Sequence, residues 1–231
     1  MLTILPLGDS ITFGCGDSCN NTSKDCEKSP YKQLLKYGVL TAIPCNKCSS
    51  GYRGFLEQKL KDNKKFPKFK IVGTRKNGLT KHNGYPGWTI QMVRKKLPVW
   101  IKTSPDVILL HLGTNNFGWY RSNAKNTTLE LKKMLDEIYD HLPNVKIFLS
   151  TIIYASSFYG GKEHDEYNLY IKYIVRYYRN EGKQIFLVNM DQEFNKKNLC
   201  PDSIHPTMKG YKVMSNVWYK NLIKYISKSK K

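Results

Sequence analysis

Five short apolar, β-rich runs recur along this chain, at Leu2–Leu7, Phe69–Val72, Val107–Leu112, Val145–Ser150 and Gln184–Val188. Each has strand length and is bounded by Gly, Pro or Asn. Stretches with helical periodicity lie between them. Leu131, Met134, Leu135, Ile138 and Leu142 make one apolar face, entered through a Thr127-x-x-Glu130 capping box. Glu166–Arg179 and Met208–Ile226 also read as helices, and Gly51–Leu60 and Thr89–Leu97 as shorter ones. Parallel strands need crossover connections, so the alternation predicts an α/β protein with a five-stranded parallel sheet and helices on both faces. Ligands of such sheets bind beyond the carboxyl ends of the strands. The residues directly after each strand are therefore the ones to read for chemistry.

A length of 231 residues suits one α/β domain, and no repeat or Gly/Ser- or Pro-rich linker divides it. We expect a single domain over residues 1–231. No run of about 18 apolar residues is present, so no membrane span is expected. The net charge of +20 predicts attraction to polyanions. The lysines are scattered, however, and no arginine-rich stripe marks a specific nucleic-acid site.

Residues 14–50 do not fit the alternation and read as a Cys-rich insertion, with a short helix near Tyr31–Tyr37. Cys15, Cys19, Cys26, Cys45 and Cys48 crowd this segment, and Cys200 stands far away. Disulfides are the favoured reading, with a zinc cluster built on Cys45-x-x-Cys48 as the alternative. Sequons begin at Asn20, Asn21 and Asn126, which matter only in a secreted protein. The N-terminus carries no leader-like segment. Secretion, with the leader already removed, is the expectation; a cytoplasmic protein is the alternative.

After the first strand comes Gly8-Asp9-Ser10-Ile11-Thr12, and a second Gly-Asp-Ser, Gly16-Asp17-Ser18, follows with no strand before it. After the second strand, the chain reaches Gly84-Tyr85-Pro86-Gly87-Trp88-Thr89. The third is followed by Gly113-Thr114-Asn115-Asn116, and the fifth leads to Asp202-Ser203-Ile204-His205-Pro206. A serine, a glycine turn, an asparagine and an Asp-x-x-His pair thus converge on one sheet edge. Acyl transfer needs this set. A serine hydroxyl requires an imidazole to take its proton, and the imidazole requires a carboxylate on its other nitrogen. The amides of Ser10 and Gly87 and the Asn115 side chain can supply the donors that a developing oxyanion needs.

These blocks resemble those of the SGNH, or GDSL-type, hydrolases. Gly51-Tyr52-Arg53, Val72-Gly73-Thr74 and Gly210-Tyr211 further resemble the carbohydrate-esterase branch, which includes acetylxylan esterases. The resemblance implies a flavodoxin-like three-layer α/β/α sandwich and a serine esterase without metal or cofactor. It makes Ser10 the nucleophile, His205 the base and Asp202 its orienter, with Gly87 and Asn115 completing the oxyanion hole. Gly84 is a rival for the Gly87 role, and Asn116 stands where the family usually has aspartate. Tyr85, Trp119 and Tyr120 are candidate sugar contacts, while Trp88 is expected to pack as core. The expected substrate is an acetylated polysaccharide or oligosaccharide such as acetylated xylan, acted on by a monomer. A catalytically silent fold binding acidic glycans and an esterase for small esters are the alternatives. The nearness of Cys15 to Ser10 and of Cys200 to Asp202 raises a Cys15–Cys200 bridge as a further expectation.

Overall fold

The computed structural model describes residues 1–16, 49–118, 120–155 and 161–226. The expected helix at 31–37, the cysteines between 19 and 48, most of the second Gly-Asp-Ser and Trp119 fall outside them.

All five expected strands form: β1 (Leu2–Gly8), β2 (Phe69–Ile71), β5 (Val107–His111), β6 (Lys146–Ser150) and β7 (Ile185–Val188). Two more, β3 (Arg75–Asn77) and β4 (Thr80–Gly84), make an antiparallel hairpin. The described sheet is therefore seven-stranded, in the order β3-β4-β1-β5-β6-β7 with β2 also on β1. It is larger than the expected five strands and not wholly parallel. β1 explains the difference. Its first half pairs with β2 through Leu2–Ile4, and its last two residues pair with β4, Leu7 with Asn83 and Gly8 with Gly84. One row of the parallel sheet is thus filled by two short strands, and the hairpin returns the chain to that row at the level of the strand ends.

The central strands β1, β5 and β6 are buried on both faces, which is why they read as continuous apolar runs rather than alternating ones. Leu5, Leu7, Ile108, Leu110, Ile147 and Leu149 point into one core, and Ile4, Val107, Leu109, Phe148 and Val188 into the other. The first core is covered by α3 (Ile90–Arg94), α4 (Leu97–Trp100), α6 (Ala124–His141) and α7 (Lys162–Asn180). The second is covered by α2 (Gly51–Asp62) and α9 (Met208–Ile226), with Met190 of the short α8 (Met190–Glu193). This is the expected three-layer sandwich.

Two helix starts move, and α7 begins at Lys162, four residues before the expected Glu166. α6 begins at Ala124, because the Asn123 side chain accepts the Asn126 amide at 2.8 Å. Thr127 lies inside the helix and Glu130 pairs with Arg94 at 2.6 Å, so the expected capping box is not made.

Candidate active site

The loop after β1 turns at once into α1 (Ser10–Phe13). Asp9 caps this turn, its Oδ1 accepting the Ile11 amide at 3.0 Å, and Gly14 ends it in the left-handed region at φ 100°. Ser10 thereby occupies the first helical position, at the strand end. A turn of four residues has little stability of its own, and neighbouring elements hold it. The fully buried Arg53 of α2 donates to the carbonyls of Thr12 at 2.8 Å and Phe13 at 2.9 Å, and to Thr80 of β4. The Tyr211 hydroxyl of α9 donates to the Cys15 carbonyl at 2.6 Å. Gly51-Tyr52-Arg53 and Gly210-Tyr211 therefore serve as braces for the Ser10 turn. The available signal for Arg53 was an arginine on the otherwise apolar side of a helix.

At the opposite lip, Cys200 N–H donates to His205 O at 2.7 Å and Ser203 N–H to Cys200 O at 2.9 Å, closing a tight loop. Asp202 Oδ1 accepts the amides of Ile204 and His205, each at 3.0 Å. Its Oδ2 accepts His205 Nδ1–H at 2.6 Å, which fixes the tautomer. Nε2 is left as an acceptor, and the Ser10 hydroxyl donates to it at 2.8 Å across 195 residues of sequence. Burial raises the Asp202 pKa, but the hydrogen bond and charge of His205 and the two amides outweigh it, leaving the carboxyl below its ordinary range. The carboxylate is thus ionised where an imidazolium would need it. Asp9 differs. Full burial lifts its pKa to about 6 against the Ile11 amide and the charge of His205, and its Oδ2 has no partner among the described residues.

Gly84 and Gly87 are now distinguishable. The Gly84 amide donates to His82 Nδ1 at 3.0 Å, and a Cβ there would lie 2.5 Å from Phe13 N. Gly84 is spent on packing β4 against α1. Gly87 is exposed at φ 78° with nothing within 4 Å of a built Cβ, and no described hydrogen bond engages its amide. After β5, Gly113 takes φ 135°, where a Cβ would strike the Tyr167 ring at 2.6 Å. This close approach starts α5 (Thr114–Phe117), which carries Asn115. One N–H of Asn115 Nδ2 donates to Trp88 O at 3.0 Å, aligning the amide with the Gly87 turn. Asn116 supports the same turn: its Oδ1 accepts the Ile90 amide at 3.1 Å, as a carboxylate would, and its Nδ2 donates to Gln91 at 2.9 Å.

Tyr85 is half-buried and stacked on Trp88 at 4.2 Å and on Trp100 at 5.1 Å between centroids. Trp88 packs against the core, as expected. Tyr120 is 53% exposed, with its hydroxyl 3.9 Å from Met92 Sδ on α3. His111 is buried in β5, and burial lowers its pKa to about 3. Cys15 and Cys200 are both buried and disulfide-bonded. The expected Cys15–Cys200 bridge is not among the described bonds.

The sequence profile of the GDSL-like lipase/acylhydrolase family matches residues 7–213, nearly the whole chain. The chain belongs to that family. A multidomain esterase of Ruminococcus flavefaciens is 27% identical over 99% of this chain, which spans 29% of that relative's length. The fold of this family member is similar to a Clostridium thermocellum family 3 carbohydrate esterase, with a TM-score of 0.74, 25% identity and coverage of 97% and 96% of the two chains. It also matches a catalytic mutant of Axe2, an acetylxylan esterase from Geobacillus stearothermophilus, at a TM-score of 0.65 over 96% and 94%. That pair shares 16% identity, and the likeness is one of fold. No helix among the described residues is long and apolar enough to cross a membrane.

Proposed function

We propose that this chain is a serine esterase that removes short acyl groups, acetyl foremost, from carbohydrate esters such as acetylated xylan. The observation that carries the reading is the unbroken chain Ser10 Oγ to His205 Nε2 at 2.8 Å and Nδ1 to Asp202 at 2.6 Å. Ser10 Oγ attacks the ester carbonyl carbon as its proton passes to His205 Nε2. The resulting oxyanion is held by the amides of Ser10 and Gly87 and the second N–H of Asn115 Nδ2. Collapse breaks the bond to the sugar oxygen, which takes the proton from Nε2 and leaves as the alcohol. Water then gives a proton to Nε2 and attacks the acyl-Ser10, releasing acetate and restoring the hydroxyl. Asp202 stabilises the imidazolium in both halves.

Membership of an acylhydrolase family and the likeness to carbohydrate esterases support a saccharide ester as substrate. Short acyl groups suit the site, because each further buried CH₂ needs apolar wall worth about 0.8 kcal/mol. Tyr85 and Tyr120, with Trp119 outside the described residues, are the proposed sugar contacts. The disulfide-bonded Cys15 and Cys200 support a secreted protein.

The test is release of p-nitrophenol from p-nitrophenyl acetate, then of acetate from acetylated xylan and other acetylated polysaccharides. We expect turnover by the wild type and a loss of about 10⁴-fold or more in Ser10→Ala. Equal inactivity of both proteins would overturn the esterase reading in favour of a silent glycan-binding fold.

A further inference from the structure

The segment that builds the β2–β3–β4 edge and the Gly87 turn has an unusual charge pattern. No Asp or Glu occurs between Asp62 and Asp106, while Lys and Arg recur throughout. Two arginines of this segment have opposite fates. Arg94 forms ion pairs with Glu130 and Glu137 from α6. Arg75 has no ion pair and no hydrogen bond from its guanidinium among the described residues. Its guanidinium carbon instead lies 4.6 Å from the centroid of the Tyr85 ring and 5.2 Å from that of Phe13.

Those two rings give the position its meaning. Phe13 closes the turn that Ser10 opens, and Tyr85 stands two residues before Gly87. Tyr85 is fixed: its hydroxyl is 3.0 Å from Thr74 Oγ1, its amide donates to Gly8 O at 3.1 Å, and its ring stacks on Trp88. Contact with ring faces orients a guanidinium plane without neutralising it. The half-buried Arg75 is therefore a preorganised cation between the nucleophile's turn and the proposed oxyanion turn. The hairpin's outer face is also basic, with Lys76 directly opposite Lys81 and both exposed. Like charges so placed are destabilising, and no carboxylate from their own segment relieves them.

We propose that Arg75 is a specificity residue that takes the carboxylate of a uronic-acid unit, so that the preferred ester substrate is an acidic saccharide. A guanidinium fork matches a carboxylate in two parallel hydrogen bonds, and a saccharide chain crossing the edge beside Gly87 brings that group to the rings that hold Arg75. This rests on the esterase reading, and the experiment separates the two. Acetate release would be measured from an acetylated oligogalacturonide and from the same oligosaccharide with its carboxyls methyl-esterified. We expect wild-type kcat/KM to favour the free acid by about 10- to 100-fold, the size of a charge-assisted hydrogen bond. Arg75→Gln should bring the ratio close to one, and Arg75→Lys, which keeps the charge without the fork, should retain part of it. A wild-type ratio near one, or a ratio unchanged in Arg75→Gln, would overturn the proposal. If the wild type hydrolyses no ester, including p-nitrophenyl acetate, the esterase reading fails. The subsite is then decided by calorimetric titration of oligogalacturonide into Ser10→Ala with and without Arg75→Gln. A tenfold or greater loss of affinity supports it, and equal affinity overturns it.

Discussion

Two carboxyls lie beside His205, the proposed general base, and are driven in opposite directions. Asp202, with three hydrogen bonds to its oxygens, is held in the ionised form. Asp9, fully buried with one bonded oxygen, is pushed from its ordinary 3.8 to about 6. A raised acid pKa favours folding while the proton is on. The contribution is fully present below the unfolded value of 3.8 and is lost as pH rises through about 6. Above that, ionisation of Asp9 costs up to roughly 3 kcal/mol, from about two pKa units at 1.36 kcal/mol each. Asp9→Asn keeps an oxygen for the Ile11 amide and cannot ionise. We expect it to be more stable than the wild type at about pH 8 by a few kcal/mol, with the difference vanishing below about pH 4. Urea denaturation across that range measures it. A gain that persists unchanged at low pH would exclude ionisation as the cause.

At the scale of elements, the Ser10 turn depends on its surroundings more than on its own four residues. Arg53 connects the last carbonyls of α1 to Thr80 of β4, and no smaller side chain reaches all of them. Arg53→Ala would leave several buried carbonyls unsatisfied, at about 1–3 kcal/mol each. We expect a loss of roughly 3–5 kcal/mol in denaturant unfolding and a lower kcat, with Arg53→Lys between the two. Unfolding like the wild type would show that Tyr211 and Gly14 hold the turn unaided. The same elements explain what was legible in the sequence. β1, β5 and β6 are buried on both faces and announce themselves as apolar runs. β3 and β4, Arg75-Lys76-Asn77 and Thr80-Lys81-His82-Asn83-Gly84, are polar, and their strand state comes from pairing with each other and with β1. Only Gly78 at φ 54° in the two-residue connection betrayed the hairpin. Ser10, Asp202 and His205 were legible because each follows a strand in a recognisable block. Arg53 stood in the recognised Gly51-Tyr52-Arg53 block, but its bracing of α1 and Thr80 was not legible, and Arg75 was not legible at all, since both roles are defined by groups distant in sequence.

For the whole molecule, the two cores share one sheet among the described residues, and we propose that they unfold as one unit. Ile4 and Leu5, adjacent in β1, point into different cores, so neither can be lost without the strand they share. A single calorimetric transition is expected. The net charge of +20, from 38 basic and 18 acidic residues, acts on this unit as self-repulsion. Raising the ionic strength from about 0.01 to 0.15 M shortens the screening length from about 30 to 8 Å, less than the width of the sheet. The repulsion among the surface lysines and arginines should then fall while the buried contacts stay as they are. We expect Tm to rise by a few degrees over that range, at constant pH and in sodium chloride. The rise should flatten at higher salt, once the screening length is below the spacing of neighbouring lysines. A Tm that is constant or falling over the same range would mean that local pairs such as Lys132–Asp136 already offset the excess charge.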